Sequence, residues 1–275
     1  MPTAVRVRAF TAADAEAVAR ISALNGQPDS DSGADPAYLA HVGEAGTVLV
    51  AVAEHDEVVA WGASTATGWG DLLTDLFVHP DWHGRGLGTA VLGHLWPPET
   101  GEQPRFTFSS WHAHALPLYA RAGLVPSWPL LYLSGDPTRL QGTPANVVRQ
   151  KAASAATTEL LITGFDRTAT YAYWGRRRQA AGFAVYEGSD LVAAGIGSPA
   201  ELIHLACAPE ADASSAVVAA LRARDGTHVT ICLPGPHPAL LPLLSAGFRV
   251  VDHDVHMASP GVTLPTTWVY SPGLA

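Results

Sequence analysis

Apolar and polar positions alternate between two periods along this chain, and the switches between them mark its elements. Val5 to Phe10 reads as a short strand. Thr11 and Asp14 then form a capping box, with Val18, Ile21 and Leu24 on one helical face and Asn25-Gly26 as the stop. Residues 27–35 are polar, with Pro, Ser, Asp and Gly, and read as a mobile loop. A weak helix follows over Ala37–Val42. Thr47–Ala53 and Val58–Thr67 read as two strands joined by a tight turn at His55-Asp56. Leu72–Val78 is an apolar run of strand length, closed by Pro80, which has no N–H to give a ladder. From Thr89, the apolar residues Val91, Leu92 and Leu95 recur at helical spacing. Beyond the loop 96–104 come a strand at Phe106–Trp111, a helix at Leu116–Ala122 stopped by Gly123, and a strand at Leu130–Leu133. The order is β-α-α-β-β-β-α-β-α-β, an amount of structure that suits one domain. Ser134–Pro144 reads as a linker.

The second half repeats the first. Ala51–Gly62 matches Ala184–Gly195 without a gap, Asp75–Pro80 matches His204–Pro209, and Leu116–Leu124 matches Leu240–Phe248. Three collinear matches in the same order argue for duplication rather than chance, with loops that shorten downstream. The expected organisation is an α/β (α+β) chain of two tandem domains, 1–135 and 145–275, each a mixed central sheet flanked by helices.

Composition narrows the classes. Of 275 residues 48% are apolar and 15% charged, enough to bury a sizeable core. A net charge of −9 argues against a nucleic-acid partner, because phosphate backbones need a basic face. No run is long and apolar enough to cross a bilayer and the first residues carry no apolar leader, so a cytoplasmic protein without a membrane partner is expected. Cys207 and Cys232 make neither a disulfide framework nor zinc spacing, and both sit in apolar runs that predict buried free thiols.

The chemistry concentrates in the stretch LLTDLFVHPDWHGRGLGTAVLGHL from Leu72 to Leu95. A strand, a turn with Gly84, Gly86 and Gly88, and a helix start together form a device for holding phosphate. Glycine permits positive φ and close backbone approach, and the first N–H groups of a helix face an anion at the positive end of its dipole. A dinucleotide fingerprint fits poorly. Thr89 stands where its third glycine belongs, and His79 to His83 separate strand from turn. His79, His83, His112 and His114 raise the question of a metal, but no cysteine lies near and nothing in the spacing makes a converging set, so no metal is expected.

His83-Gly84-Arg85-Gly86-Leu87-Gly88 resembles the Gln/Arg-x-x-Gly-x-Gly/Ala acyl-coenzyme A loop of the GNAT superfamily of N-acetyltransferases. Asp75-Leu-Phe-Val-His-Pro80 is similar to that family's fourth strand. Ala115-x-x-x-Tyr119-x-x-x-Gly123-Leu124 is similar to its second signature, and the opening from Arg8 through Asp14 matches in type. Two positions depart from the pattern: His83 replaces Gln or Arg, and His112 replaces an asparagine three residues before Ala115.

The resemblance implies acetyl-coenzyme A as cosubstrate, held by Phe77, Val78, His83, Gly84, Arg85, Gly86, Leu87, Gly88 and Thr89. It implies direct acyl transfer to an amine. Asp75 is the candidate general base, with a structural carboxylate as the equal alternative. A strand N–H near Val78 would stabilise the oxyanion. Tyr119 is the candidate proton donor to the leaving thiolate. Trp111 and His112 are candidates for the acceptor pocket, to which Trp61 and Trp69 could add walls unless they are core. In the second half Asp212-Ala-Ser-Ser-Ala-Val217 replaces the glycine turn and Leu243 replaces Tyr119, so that half is expected neither to bind the cosubstrate nor to catalyse. The expected acceptor is a small-molecule amine, for which Asp29, Asp31 and Asp35 would suit a cation. The rivals are a protein or peptide N-acetyltransferase and a non-catalytic acyl-coenzyme A sensor. The chain is expected as a monomer or homodimer.

Overall fold

The computed structural model describes residues 5–27, 33, 35–97, 103–142, 145–177 and 180–275. Asp29 and Asp31, most of the expected mobile loop, and the end of the expected linker at 143–144 lie outside the described residues. The first run of elements is β1 (Arg6–Ala9), α1 (Ala15–Leu24), α2 (Pro36–Ala45), β2 (Gly46–Val52), β3 (Val58–Thr67), β4 (Gly70–Val78), α3 (Leu87–Leu95), β5 (Arg105–Ser109), α4 (Ala115–Arg121) and β6 (Val125–Gly135). The second is β7 (Asn146–Gln150), α5 (Ala152–Thr163), α6 (Thr168–Arg177), β8 (Ala181–Glu187), β9 (Asp190–Gly197), β10 (Glu201–Cys207), α7 (Ala213–Arg222), β11 (Val229–Pro234), α8 (Leu240–Ser245) and β12 (Arg249–Ala258). The two runs have the same order, and it is the order the sequence pattern predicts for the first half.

The chain forms two compact units. One comprises Met1–Pro126, Met257–Thr263 and Ala275, the other Ser127–His256 and Leu264–Leu274. The boundaries expected at 135 and 145 therefore fall inside the second unit. The reason is strand pairing: β6 is bonded antiparallel to β11, from Gly135 opposite Val229 to Leu130 opposite Pro234. Linker composition records where a chain is polar, not which distant strand completes a ladder.

In the first unit β1, β2, β3 and β4 pair antiparallel in sequence order, and β4 pairs parallel with β5. The capping box at Thr11 and Asp14 is present, with Thr11 N–H donating to Asp14 at 2.8 Å. Arg8 grips the same carboxylate at 2.7 and 2.8 Å, and with Thr11 holds its pKa down at about 2. Asp35 caps α2 by accepting from the Ala37 N–H at 2.9 Å, with Pro36 in the first turn, so this helix begins earlier and runs longer than its apolar pattern suggests. On α3, Leu87, Val91, Leu92 and Leu95 are buried, each worth about 1.5–3 kcal/mol of transfer free energy.

The second unit orders its strands β12-β6-β11-β10-β9-β8-β7. Its centre is polar. Glu159 of α5, wholly buried, accepts from the Tyr171 hydroxyl at 2.5 Å and lies 3.1 Å from both Arg167 Nε and His204 Nε2. Cys207 is a buried free thiol, whereas Cys232 is only half-buried. Among the described residues no helix is long and apolar enough to cross a membrane.

Candidate active site

The site begins with a defect in β4. Ala63 pairs with Asp75 but Ser64 pairs with Leu73, so Thr74 is an extra residue, a β-bulge, and its hydroxyl donates to the Ala63 carbonyl at 3.2 Å. On the other side, pairing with β5 covers only Asp71–Leu73 against Arg105–Thr107. The Thr107 hydroxyl donates to the Leu73 carbonyl at 3.0 Å where that ladder ends. Past this point the two strands leave a gap. His79 N–H donates to the Val59 carbonyl, so the alternating residues Leu76 and Val78 turn their N–H groups away from β3, toward the gap. A cavity of about 400 Å³ opens there, bordered by Leu76, Phe77 and Val78 on one side and Ser110 on the other.

The glycine turn closes one end of this cavity. Pro80 starts a short 3-10 turn, and Gly84 and Gly86 take φ of +75° and +79°, which a side chain adopts only with strain. A Cβ on either would meet nothing within 4 Å, so the backbone borders open space. Gly86 is the N-cap of α3 and offers no capping side chain; the first bond of the helix runs from Ala90 N–H to the Gly86 carbonyl. The N–H groups of Leu87, Gly88 and Thr89, which have no intrahelical partner, therefore stand at the cavity that these three residues line. Gly88 serves a different purpose: a Cβ there would come within 3.3 Å of Leu118, so it sets the approach of α3 to α4. The helix starts at Leu87 rather than at Thr89 as the apolar spacing predicts, because Gly86 supplies the left-handed cap.

Side chains complete the lining. Tyr119 of α4, 7% exposed, faces the cavity, as does Arg121. His83 Nε2 lies 3.0 Å from the Val78 carbonyl oxygen, a hydrogen bond in the tautomer protonated at that nitrogen. Asn25 Nδ2 donates to the same carbonyl at 3.1 Å and to Ile21 at 2.8 Å. The sequence offered Asn25 only as part of a helix stop, with Gly26 in the left-handed position after it. Arg85 folds back, with its guanidinium 4.6 Å over the Trp82 ring and donating to the Asp81 carbonyl. His112 and His114 line the cavity too, their rings 5.4 Å apart and the His83 ring 5.8 Å from His112. Among the described residues no group of three or more His, Cys, Asp or Glu could hold a metal ion.

Three candidate residues lie outside the cavity lining. Trp111 is 57% exposed and does not line the cavity, and Trp61 is wholly buried against Phe77. Asp75 is 8% exposed, lies outside the cavity lining and accepts from the Tyr38 hydroxyl at 2.6 Å. Burial pushes its pKa up to about 6, against the hydrogen bonds from Tyr38 and Thr74 that lower it. A carboxyl whose pKa is higher folded than unfolded, about 3.9, costs stability as pH rises through that interval. From pH 5 to pH 8 this amounts to roughly 1–1.5 kcal/mol. Asp75→Asn removes that slope, so urea unfolding will show the variant gaining on the parent by about 1 kcal/mol between the two pH values. An unchanged difference would place the titration outside this window.

Residues 44–125 match the acetyltransferase (GNAT) domain family. No curated protein sequence matches the chain. Among solved structures, a putative acetyltransferase from Pyrococcus horikoshii aligns over 98% of this chain and 94% of its own, with a TM-score of 0.73 at 17% identity. A GCN5-related N-acetyltransferase from Sphaerobacter thermophilus aligns over 94% and 98%, with a TM-score of 0.61 at 17% identity. A tandem GNAT protein of the clavulanic acid biosynthesis pathway aligns over 93% and 98%, with a TM-score of 0.61 at 15% identity. At these identities the likeness is one of fold.

Proposed function

We propose that this chain is an acyl-coenzyme A-dependent N-acyltransferase, moving an acetyl group directly to the amine of a small molecule. The observation that carries the reading is the conjunction of an uncapped helix start, a glycine turn bordering open space, and a tyrosine, all on one cavity between splayed strands. Acetyl-coenzyme A, when bound, supplies the activated thioester. The residues present fit its pyrophosphate: a Cβ at Gly84 or Gly86 would enter the space it needs, and Leu87, Gly88 and Thr89 offer N–H donors. The N–H groups of Leu76 and Val78 face the gap as oxyanion donors, and the bonds from Asn25 and His83 to the Val78 carbonyl fix that strand end. Tyr119 donates the proton to the departing thiolate.

The second half supports a silent role. Asp212 caps α7 by accepting from the Ser214 and Ser215 N–H groups at 3.0 and 3.1 Å, so its own carboxylate takes the donors a phosphate would need. Leu243, fully buried, stands where the first half has Tyr119.

Thiol release from acetyl-coenzyme A across amino acids, amino sugars, polyamines and peptides tests the reading, and no release with any amine would refute it. Tyr119→Phe will lower kcat about 10- to 100-fold while cofactor affinity stays within a few-fold. The effect sits at the low end for general acids because a thiol pKa of about 8.5 makes the thiolate a tolerable leaving group. An unchanged kcat would remove the tyrosine from the mechanism.

A further inference from the structure

The cavity's titratable lining is one-sided. His83, His112, His114, Tyr119 and Arg121 border it, and among the described residues no aspartate or glutamate lines it. The three imidazoles form a row, His83 to His112 at 5.8 Å and His112 to His114 at 5.4 Å between ring centroids. The row starts at the glycine turn, where His83 is tied to the Val78 carbonyl, and ends on the first residues of α4. Arg85 lies over Trp82, Arg121 is on the cavity wall, and the Asp81 carboxylate turns to His79 Nδ1 at 3.9 Å.

We propose that His83, His112 and His114 are a proton-coupled clamp for the phosphates of the acyl carrier, so that carrier binding draws protons from solution. This rests on the acyl-coenzyme A reading and specifies how that site is regulated. An imidazole titrates near pH 6.5 and can be neutral or cationic around neutrality, unlike the arginine that the glycine-loop pattern commonly places at position 83. A phosphate within a few Å favours the cationic form, and linkage requires that what anion binding does for protonation, protonation does for anion binding. Affinity therefore rises as pH falls. The carrier is held more tightly in acidified conditions, and release is favoured at alkaline pH.

The test is calorimetric titration of the full chain with coenzyme A at pH 7 in two buffers of different ionisation enthalpy, then at pH 6 and pH 8. The expected result is net uptake of about half a proton and about tenfold tighter binding at pH 6 than at pH 8. In the combined variant His83→Gln, His112→Asn, His114→Asn, uptake falls below half that value and the affinity ratio shrinks to about twofold. Binding with no buffer dependence overturns the clamp and leaves the acyltransferase reading intact. Uptake that persists unchanged in the combined variant also overturns it, since the carrier's own phosphate would then be the source. No binding at any pH overturns the acyl-carrier reading and the clamp with it.

Discussion

Gly86→Glu will reduce coenzyme A affinity at least a thousandfold, a loss of about 4 kcal/mol. Two effects combine at this position. The backbone is left-handed, φ +79°, where a side chain costs about 1–2 kcal/mol, and the N–H groups of the α3 start face the space a Cβ would enter. A carboxylate there would cap the helix from within, as Asp212 does on α7, and would repel phosphate. Gly86→Ala separates the two contributions: it brings the strain without the charge and should cost only about tenfold. Calorimetric titration with acetyl-coenzyme A reads both variants, with one site per chain expected for the parent. Near-normal affinity in Gly86→Glu would mean that the phosphates lie elsewhere, and two sites per chain would mean that the second half is not silent.

Much of this site is legible in the sequence because its determinants are local. Gly84 and Gly86 carry the turn, the apolar spacing from Val91 to Leu95 carries the helix, and Ala115 to Gly123 carries the tyrosine. Each lies within a dozen residues of its own structural context. What the sequence does not disclose depends on pairing across the chain. The bulge at Thr74 exists only relative to β3, and the gap that makes the cavity exists only because β4 and β5 stop pairing after Leu73 and Thr107. Asp75 reads equally as a general base or a structural carboxylate, and its hydrogen-bond partner, the Tyr38 hydroxyl, lies thirty-seven residues away in the chain. Trp111 reads as a pocket wall by its place after β5, but the direction of one side chain at a strand end is not a pattern that periodicity encodes. β6 reads as the end of the first domain for the same reason: its partner, β11, begins at Val229.

Glu159→Ala will destabilise the fold by about 3–5 kcal/mol. The repeat explains why a charge is buried there. His204 of β10 stands at the position Asp75 holds in β4, and Tyr171 of α6 corresponds to Tyr38 of α2, so the second unit carries a tyrosine and an imidazole where the first carries a tyrosine and a carboxylate. Glu159 restores the missing negative charge from α5. Burial alone would raise its pKa, but His204, then Arg167 and Tyr171, together hold it below the ordinary carboxylate value. Neither the Arg167 Nε nor the His204 Nε2 contact, each at 3.1 Å, is aligned as a hydrogen bond, so both pairs act mainly through charge. Truncation removes a buried carboxylate from beside Arg167, only 9% exposed, and breaking a buried pair costs more than the pair's own net attraction. At about 2–4 °C per kcal/mol for a chain of this class, the melting temperature should fall by roughly 10 °C. Because the folded pKa is depressed, the contribution is present above the unfolded value of about 4.3 and fades as pH falls below it, so parent and variant should converge in acid. Equal melting temperatures at neutral pH would show that His204 and Arg167 are accommodated without the carboxylate. Glu159→Gln, which keeps the shape and the Tyr171 hydrogen bond but removes the charge, then tells packing from electrostatics: if charge dominates, it loses nearly as much as Glu159→Ala.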